Sequence, residues 1–176
     1  EGDDSDAQFV FLWIAFNAAY AKEFGFETTE RDIFGKFIAT LLSIDQNKRL
    51  HQLMFAQFTG PIRTMVENKF VFEPFWRALR DHDASDRWET QFASSKKIAL
   101  KSIMDGRTDT VLSIVFDRLY VLRNQLVHGG ATWNSGVNRA QVKDGAHILM
   151  AIVPIIIDLM LDHPGEDFGA ILYPVV

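Results

Sequence analysis

Apolar residues recur along this chain at intervals of three and four rather than two, so almost every segment predicts a helix. In AQFVFLWIAFNAAYAKEF, Ala7 to Phe24, the residues Phe9, Leu12, Trp13, Phe16 and Tyr20 share one side, and Gly25 is a natural stop. Thr28 or Thr29 caps a second helix whose inward face carries Ile33, Phe34, Phe37, Ile38 and Leu41. Asp45 caps a third, which runs through Leu50, Leu53 and Met54. Gly60-Pro61 breaks the chain, and Pro74 suits the first turn of a short helix, FWRALR, because its missing N–H costs nothing there. Ser85 or Asp86 opens a helix that runs to Asp105-Gly106, and Asp109 or Thr110 opens the next. A final long helix follows Asn134-Ser135-Gly136, with a kink expected at Pro154. No repeat, low-complexity tract or linker divides residues 1–176, so the pattern predicts one domain, an all-α bundle of about six to seven helices. The tail DFGAILYPVV is apolar and is expected to dock as an extended segment.

Composition sharpens this picture. Hydrophobic residues make up 48% and charged residues 23%, the balance of a globular chain rather than a disordered one, and 15 Phe with 4 Trp imply a bulky aromatic core. A net charge of -5 means that the molecule as a whole does not attract polyanions, so any nucleic acid must meet a local basic pocket. With no cysteine in these 176 residues, disulfides, Cys-ligated zinc and thiol chemistry are excluded within them. The acidic start EGDDSD differs from a basic secretory leader, which together with the cysteine count leads us to expect a cytoplasmic protein. The run AHILMAIVPIIIDLML carries Asp158 and falls short of the roughly 20 apolar residues that span a bilayer. A buried helix that also packs against a second subunit is expected there, and no membrane partner.

The helix TVLSIVFDRLYVLRNQLVHGG is the most informative stretch. Leu112, Val115, Leu119, Leu122 and Leu126 form a continuous apolar seam at spacings of three and four. Asn124 and His128, four apart, stack on another face, and Arg123 lies one position round with a side chain long enough to reach it. Asp117 continues the Asn124 face, and Tyr120 lies a turn before Arg123. The simplest explanation is a helix end: Gly129 takes the left-handed conformation after the last turn, and His128 stands in the cap zone.

Arg123, four intervening residues and His128, with Asn124 directly after the arginine, resemble the RxxxxH motif of the HEPN superfamily. The segment WIAFNAAY, Trp13 to Tyr20, is similar to the opening helix of Apea-like HEPN domains. With the final apolar helix, the likeness covers most of the chain in order; the middle, Thr59 to Gly106, carries no motif that matches. The resemblance implies a helical bundle of the HEPN type that dimerises so that two motifs face one cleft. It also implies a metal-independent endoribonuclease in a defence, toxin–antitoxin or RNA-processing role, or a module that keeps the fold without cleaving.

The residue types suit that chemistry. RNA carries its own nucleophile, the 2′-OH, so a catalyst needs only to move protons and stabilise negative charge on phosphorus, and neither metal nor other cofactor is expected. An imidazole titrates near pH ~6.5 when unperturbed, close enough to neutrality to accept the 2′-OH proton or to protonate the 5′-oxygen. Arginine offers a fixed fork of donors to phosphate oxygens and stays charged. His128 is therefore assigned as general acid/base, Arg123 as transition-state stabiliser and Asn124 as positioning group, giving 2′,3′-cyclic phosphate and 5′-OH ends. One histidine per subunit cannot serve both proton transfers in a single pass, which predicts a homodimer. RNA is the expected partner, with an antitoxin or other protein partner as a further one.

Three alternatives stay open. A non-catalytic HEPN module would bind RNA, a nucleotide or a protein through the same cluster, and a purely structural dimerisation domain would not use it for ligands at all. His51 and His82-Asp83, with Asp117 or Asp144, match in order the H…HD…D ligands of all-α metal phosphohydrolases, although RDHDASD reads better as a turn. His147, followed at once by the apolar run, reads as a core or interface histidine. Arg118, Arg123 and Arg139 bracket the motif and would supply local positive charge if they converge, whereas Lys96, Lys97 and Lys101 fit a solvated helix face. Asn17 and Tyr20 on the first helix are candidates to line a cleft beside Arg123.

Overall fold

A computed structural model describes residues 4–20, 30–129, 136 and 138–168; the side chain of Tyr20 and those of residues 30–33 lie outside that description. The described chain is an all-α helical bundle with no strand: α1 (Ser5–Tyr20), α2 (Glu30–Ile44), α3 (Arg49–Gln52), α4 (Thr59–Glu67), α5 (Glu73–Arg80), α6 (Arg87–Met104), α7 (Thr108–Val127) and α8 (Arg139–Asp162). A widened turn, Leu53–Gln57, joins α3 to α4, and a tight turn, Lys69–Val71, leads into α5.

The period-3.6 pattern translates directly into burial. Phe9, Trp13 and Phe16 of α1 and Phe37, Ile38 and Leu41 of α2 all lie in the core, with Leu12 and Phe34 packed partly buried against it. The core is aromatic where these helices meet α7: Phe16 stacks on Phe116 at 4.3 Å between ring centroids, and Phe34 lies 5.1 Å from the same ring. Such pairs add to the area term because ring edges and faces carry opposite partial charge.

Asp45 caps α3 as its position suggests. Its two carboxylate oxygens accept the backbone N–H groups of Arg49 and Leu50 at 2.9 and 2.8 Å, satisfying donors that the first turn leaves without partners. Pro74 stands in the first turn of α5. The expected break at Gly60-Pro61 is corrected: these residues open α4 instead, because proline within the first turn removes no intrahelical hydrogen bond. The cap expected at Thr28 or Thr29, the stop at Gly25 and the tail beyond Phe168 lie outside the described residues. Phe168 itself packs against Phe37 at 6.5 Å.

Helix α7 is the centre of the bundle and touches α1, α2, α4, α6 and α8. Helices α1 and α8 pack along each other in the same direction, with Asp6 ion-paired to Arg139 near their starts and Phe9 over Gly145 further on. A Cβ at Gly145 would meet Leu119 Cδ2 and Phe9 Cε2 at 2.8 Å, so glycine is what lets the three helices approach. By length and composition α8 can cross a membrane, yet its inward face, including Ile148, Leu149, Ile152 and Ile156, lies in this core. The helix runs through Pro154, which is exposed.

Candidate functional site

The C-terminal half of α7 is held on two adjacent stripes. Leu112, Val115, Leu119 and Leu122 are buried, as the seam predicts, with Leu126 partly so. A second stripe, Val111, Val115, Arg118, Leu122 and Gln125, is buried beside it at spacings of four and three. Gln125 is the pin. Its Nε2 donates to the Phe70 carbonyl at 2.6 Å, its Oε1 accepts from Asn138 Nδ2 at 2.7 Å, and Asn138 in turn accepts from Asn68 at 3.2 Å. This amide network ties the end of α7 to the turn before α5 and to the start of α8.

Beyond that pin the helix ends as the glycine pair suggests. His128 is the first residue past the last helical one, and its N–H still bonds the Asn124 carbonyl at 2.9 Å. Gly129 follows at φ +77, a left-handed conformation that an L side chain would strain. Gly130 lies outside the described residues.

The structure brings Arg123 and Asn124 into contact: guanidinium NH1 donates to Asn124 Oδ1 at 2.7 Å. The guanidinium carbon also sits 5.6 Å from the centroid of Tyr120, whose ring lies 6.3 Å from Trp13. Arg123 and Asn124 are half-buried, whereas His128 is exposed. One amide thus fixes one guanidinium on the last turn of α7, and an exposed imidazole follows where that helix ends. That arrangement offers fixed donors to an anion and a group able to accept or give a proton at the surface.

The other arginines do not converge on it. Arg118 is 3% exposed and points its guanidinium over the Phe72 ring at 4.4 Å, donating to Ser95 Oγ at 3.2 Å and to the Val71 carbonyl at 3.4 Å. Burial pulls its pKa down to about 10, with the Asp117 charge opposing that shift. Arg139 is engaged with Asp6. Asn17 is half-buried, and the Tyr20 side chain lies outside the described residues.

The H…HD…D set is not assembled: among the described residues no group of three or more His, Asp or Glu side chains is placed to hold a metal ion. His51 instead shares a hydrogen bond with Thr108 Oγ1 at 2.8 Å and packs tilted against Phe55 at 4.5 Å between ring centroids, while His82 occupies an exposed turn at φ 51. His163 Nδ1 bonds the Leu159 carbonyl at 3.0 Å. Lys97 and Lys101 lie on a solvated face, and Lys96 is half-buried with its ammonium 5.7 Å from the Phe92 ring.

Two features escaped the sequence reading: the burial of Arg118 and the structural use of Gln125. Their shared spacing with Val111, Val115 and Leu122 was the available signal. No family model, curated protein or solved structure matches this chain.

Proposed function

We propose that this chain is a metal-independent endoribonuclease of the HEPN type. What carries the reading is the contact between Arg123 and Asn124 on the last turn of α7, which Gln125 pins and after which an exposed His128 follows. His128 takes the 2′-OH proton as the 2′-oxygen attacks phosphorus, and the P–O5′ bond breaks. Arg123 holds the non-bridging oxygens as their charge grows, and Asn124 fixes the guanidinium. The departing 5′-oxygen needs a proton, which a second imidazole supplies in the same pass; a homodimer provides it.

Dimerisation is supported by an apolar stripe that no described residue covers. On α8, Met150, Pro154, Ile157 and Leu161 are exposed at spacings of four and three, and the adjacent α1 exposes Phe11 and Ile14. Leu161 and Phe11 are 73% and 69% exposed, and a contiguous apolar face of this kind is where a second subunit would dock. In this reading the enzyme works in the cytoplasm in defence or stress response, with an antitoxin as a possible protein partner.

A second reading has one observation in its favour. His128 stands where a helix end places a cap residue, as in a non-catalytic HEPN module that holds RNA, a nucleotide or a protein. Incubation with total cellular RNA in EDTA, followed by end-group analysis, separates the two. Cleavage to 2′,3′-cyclic phosphates that disappears in a folded, dimeric His128→Ala variant supports the enzyme. Uncut RNA, or equal cutting by the variant, moves the assignment to the binding module.

A further inference from the structure

A cleft of about 860 Å³ opens beside the middle of α7, between α1, α5 and α6, a size common for sites that hold small molecules. Its wall is aromatic, with Trp13, Phe16, Phe72 and Phe116 among its lining, and Arg118 is its buried cation. None of the hydrogen bonds that Arg118 makes goes to a carboxylate: its partners are a hydroxyl and one long carbonyl contact. Arg118 Nε is shut off from solvent without an acceptor, and so is the indole Nε1 of Trp13 in the same wall. A guanidinium removed from water without a carboxylate bonded to it is costly for a core to hold. Two donors lacking acceptors share this wall with a buried cation that the Phe72 and Phe92 rings and the neighbouring Asp117 charge offset only in part, since burial still pulls its pKa down.

An arriving carboxylate would give Arg118 a directly bonded counter-charge, since guanidinium and carboxylate match as a two-point pair. The rest of such a ligand must be flat and apolar to lie on rings. The carboxylates of Asp117 and Glu73, the latter paired with Arg77 at 2.7 Å, line the mouth and disfavour a dianion. We propose that this cleft binds a small aromatic carboxylate, its anionic group received by Arg118 with the Ser95 hydroxyl and its ring lying against Trp13, Phe16 and Phe116.

Tyr120, which lies against Arg123, also lines this cleft, but the proposal does not depend on the RNA reading and is tested without RNA. Calorimetric titration of the full chain uses benzoate, 2-naphthoate and indole-3-acetate, with 2-naphthamide as the uncharged match. At least one acid should bind, and 2-naphthoate should bind at least tenfold more tightly than 2-naphthamide, with loss of a further tenfold or more in Arg118→Met. Gln91→Trp fills the mouth from an exposed position and should weaken the acids tenfold or more without touching the core. This second variant stands even if Arg118→Met does not fold. Absence of binding by all three acids, equal affinity for acid and amide, or unchanged affinity in Gln91→Trp would overturn the proposal.

Discussion

At the end of α7, Arg123, Asn124 and His128 lie at or near the surface, and the two side chains in contact satisfy each other. In the middle of the same helix, Arg118 is buried among aromatic rings with Nε left without an acceptor. Polar groups at an exposed helix end are inexpensive to keep and leave stability nearly untouched when changed. A buried guanidinium is expensive, and such a group persists where something other than folding requires it. The contrast separates two ways of reading a polar residue: by chemistry at the surface, by energetic cost in the core.

The largest predicted effect breaks the surface side of that contrast. His128→Ala should lower the rate of RNA cleavage by ~10²–10⁴ while leaving the melting temperature within the error of the wild type, because the exposed imidazole contributes no core contact. A variant that loses stability instead would make His128 a structural cap. Between the two regions sits Gln125. Gln125→Ala takes the acceptor from Asn138 Nδ2 and leaves the Phe70 carbonyl with Trp76 Nε1 alone, and should cost ~1–3 kcal/mol in denaturant unfolding.

Gly145→Ala should cost a comparable ~1–3 kcal/mol, since its methyl would press on Leu119 and Phe9. Arg118→Met is the opposite case. It removes a poorly compensated charge while keeping much of the volume, so thermal unfolding should show equal or higher stability. A large loss would mean that the bonds to Val71 and Ser95 outweigh the cost of burying the charge.

The smallest effect concerns pH. Burial raises the Asp144 pKa above its ordinary 3.8, against the opposing His147 and Lys143 charges. The folded chain therefore holds this proton more tightly than the unfolded one, and the contribution is stabilising below the ordinary value. It fades as pH rises through the raised folded pKa. Asp144→Asn should flatten that acid-side dependence in melting curves and leave neutral stability equal or slightly higher.

The helices were legible because each buries one face: Phe9, Trp13, Phe16, Phe37 and Leu41 fall where periodicity puts them. The helix end at His128-Gly129 was legible for a local reason, the tolerance of glycine for positive φ. Arg118 was not, because a charged residue on an apolar stripe looks solvated until another element covers it; Phe72 and Phe92 do so here from distant parts of the chain. Gln125 was hidden by the same kind of distance, since its partners Phe70 and Asn138 belong to other elements. Gly60-Pro61 misled because the two residues that usually end a helix also fit a first turn.

The most direct test of the central claim is single-turnover cleavage in EDTA of a short RNA that the protein cuts, compared with the same oligonucleotide carrying 2′-deoxyribose at the cut position. The account predicts that the RNA yields a 2′,3′-cyclic phosphate and that the deoxy version stays intact at that position. Cleavage of the deoxy oligonucleotide there would remove the 2′-OH from the mechanism and contradict the roles given to Arg123, Asn124 and His128.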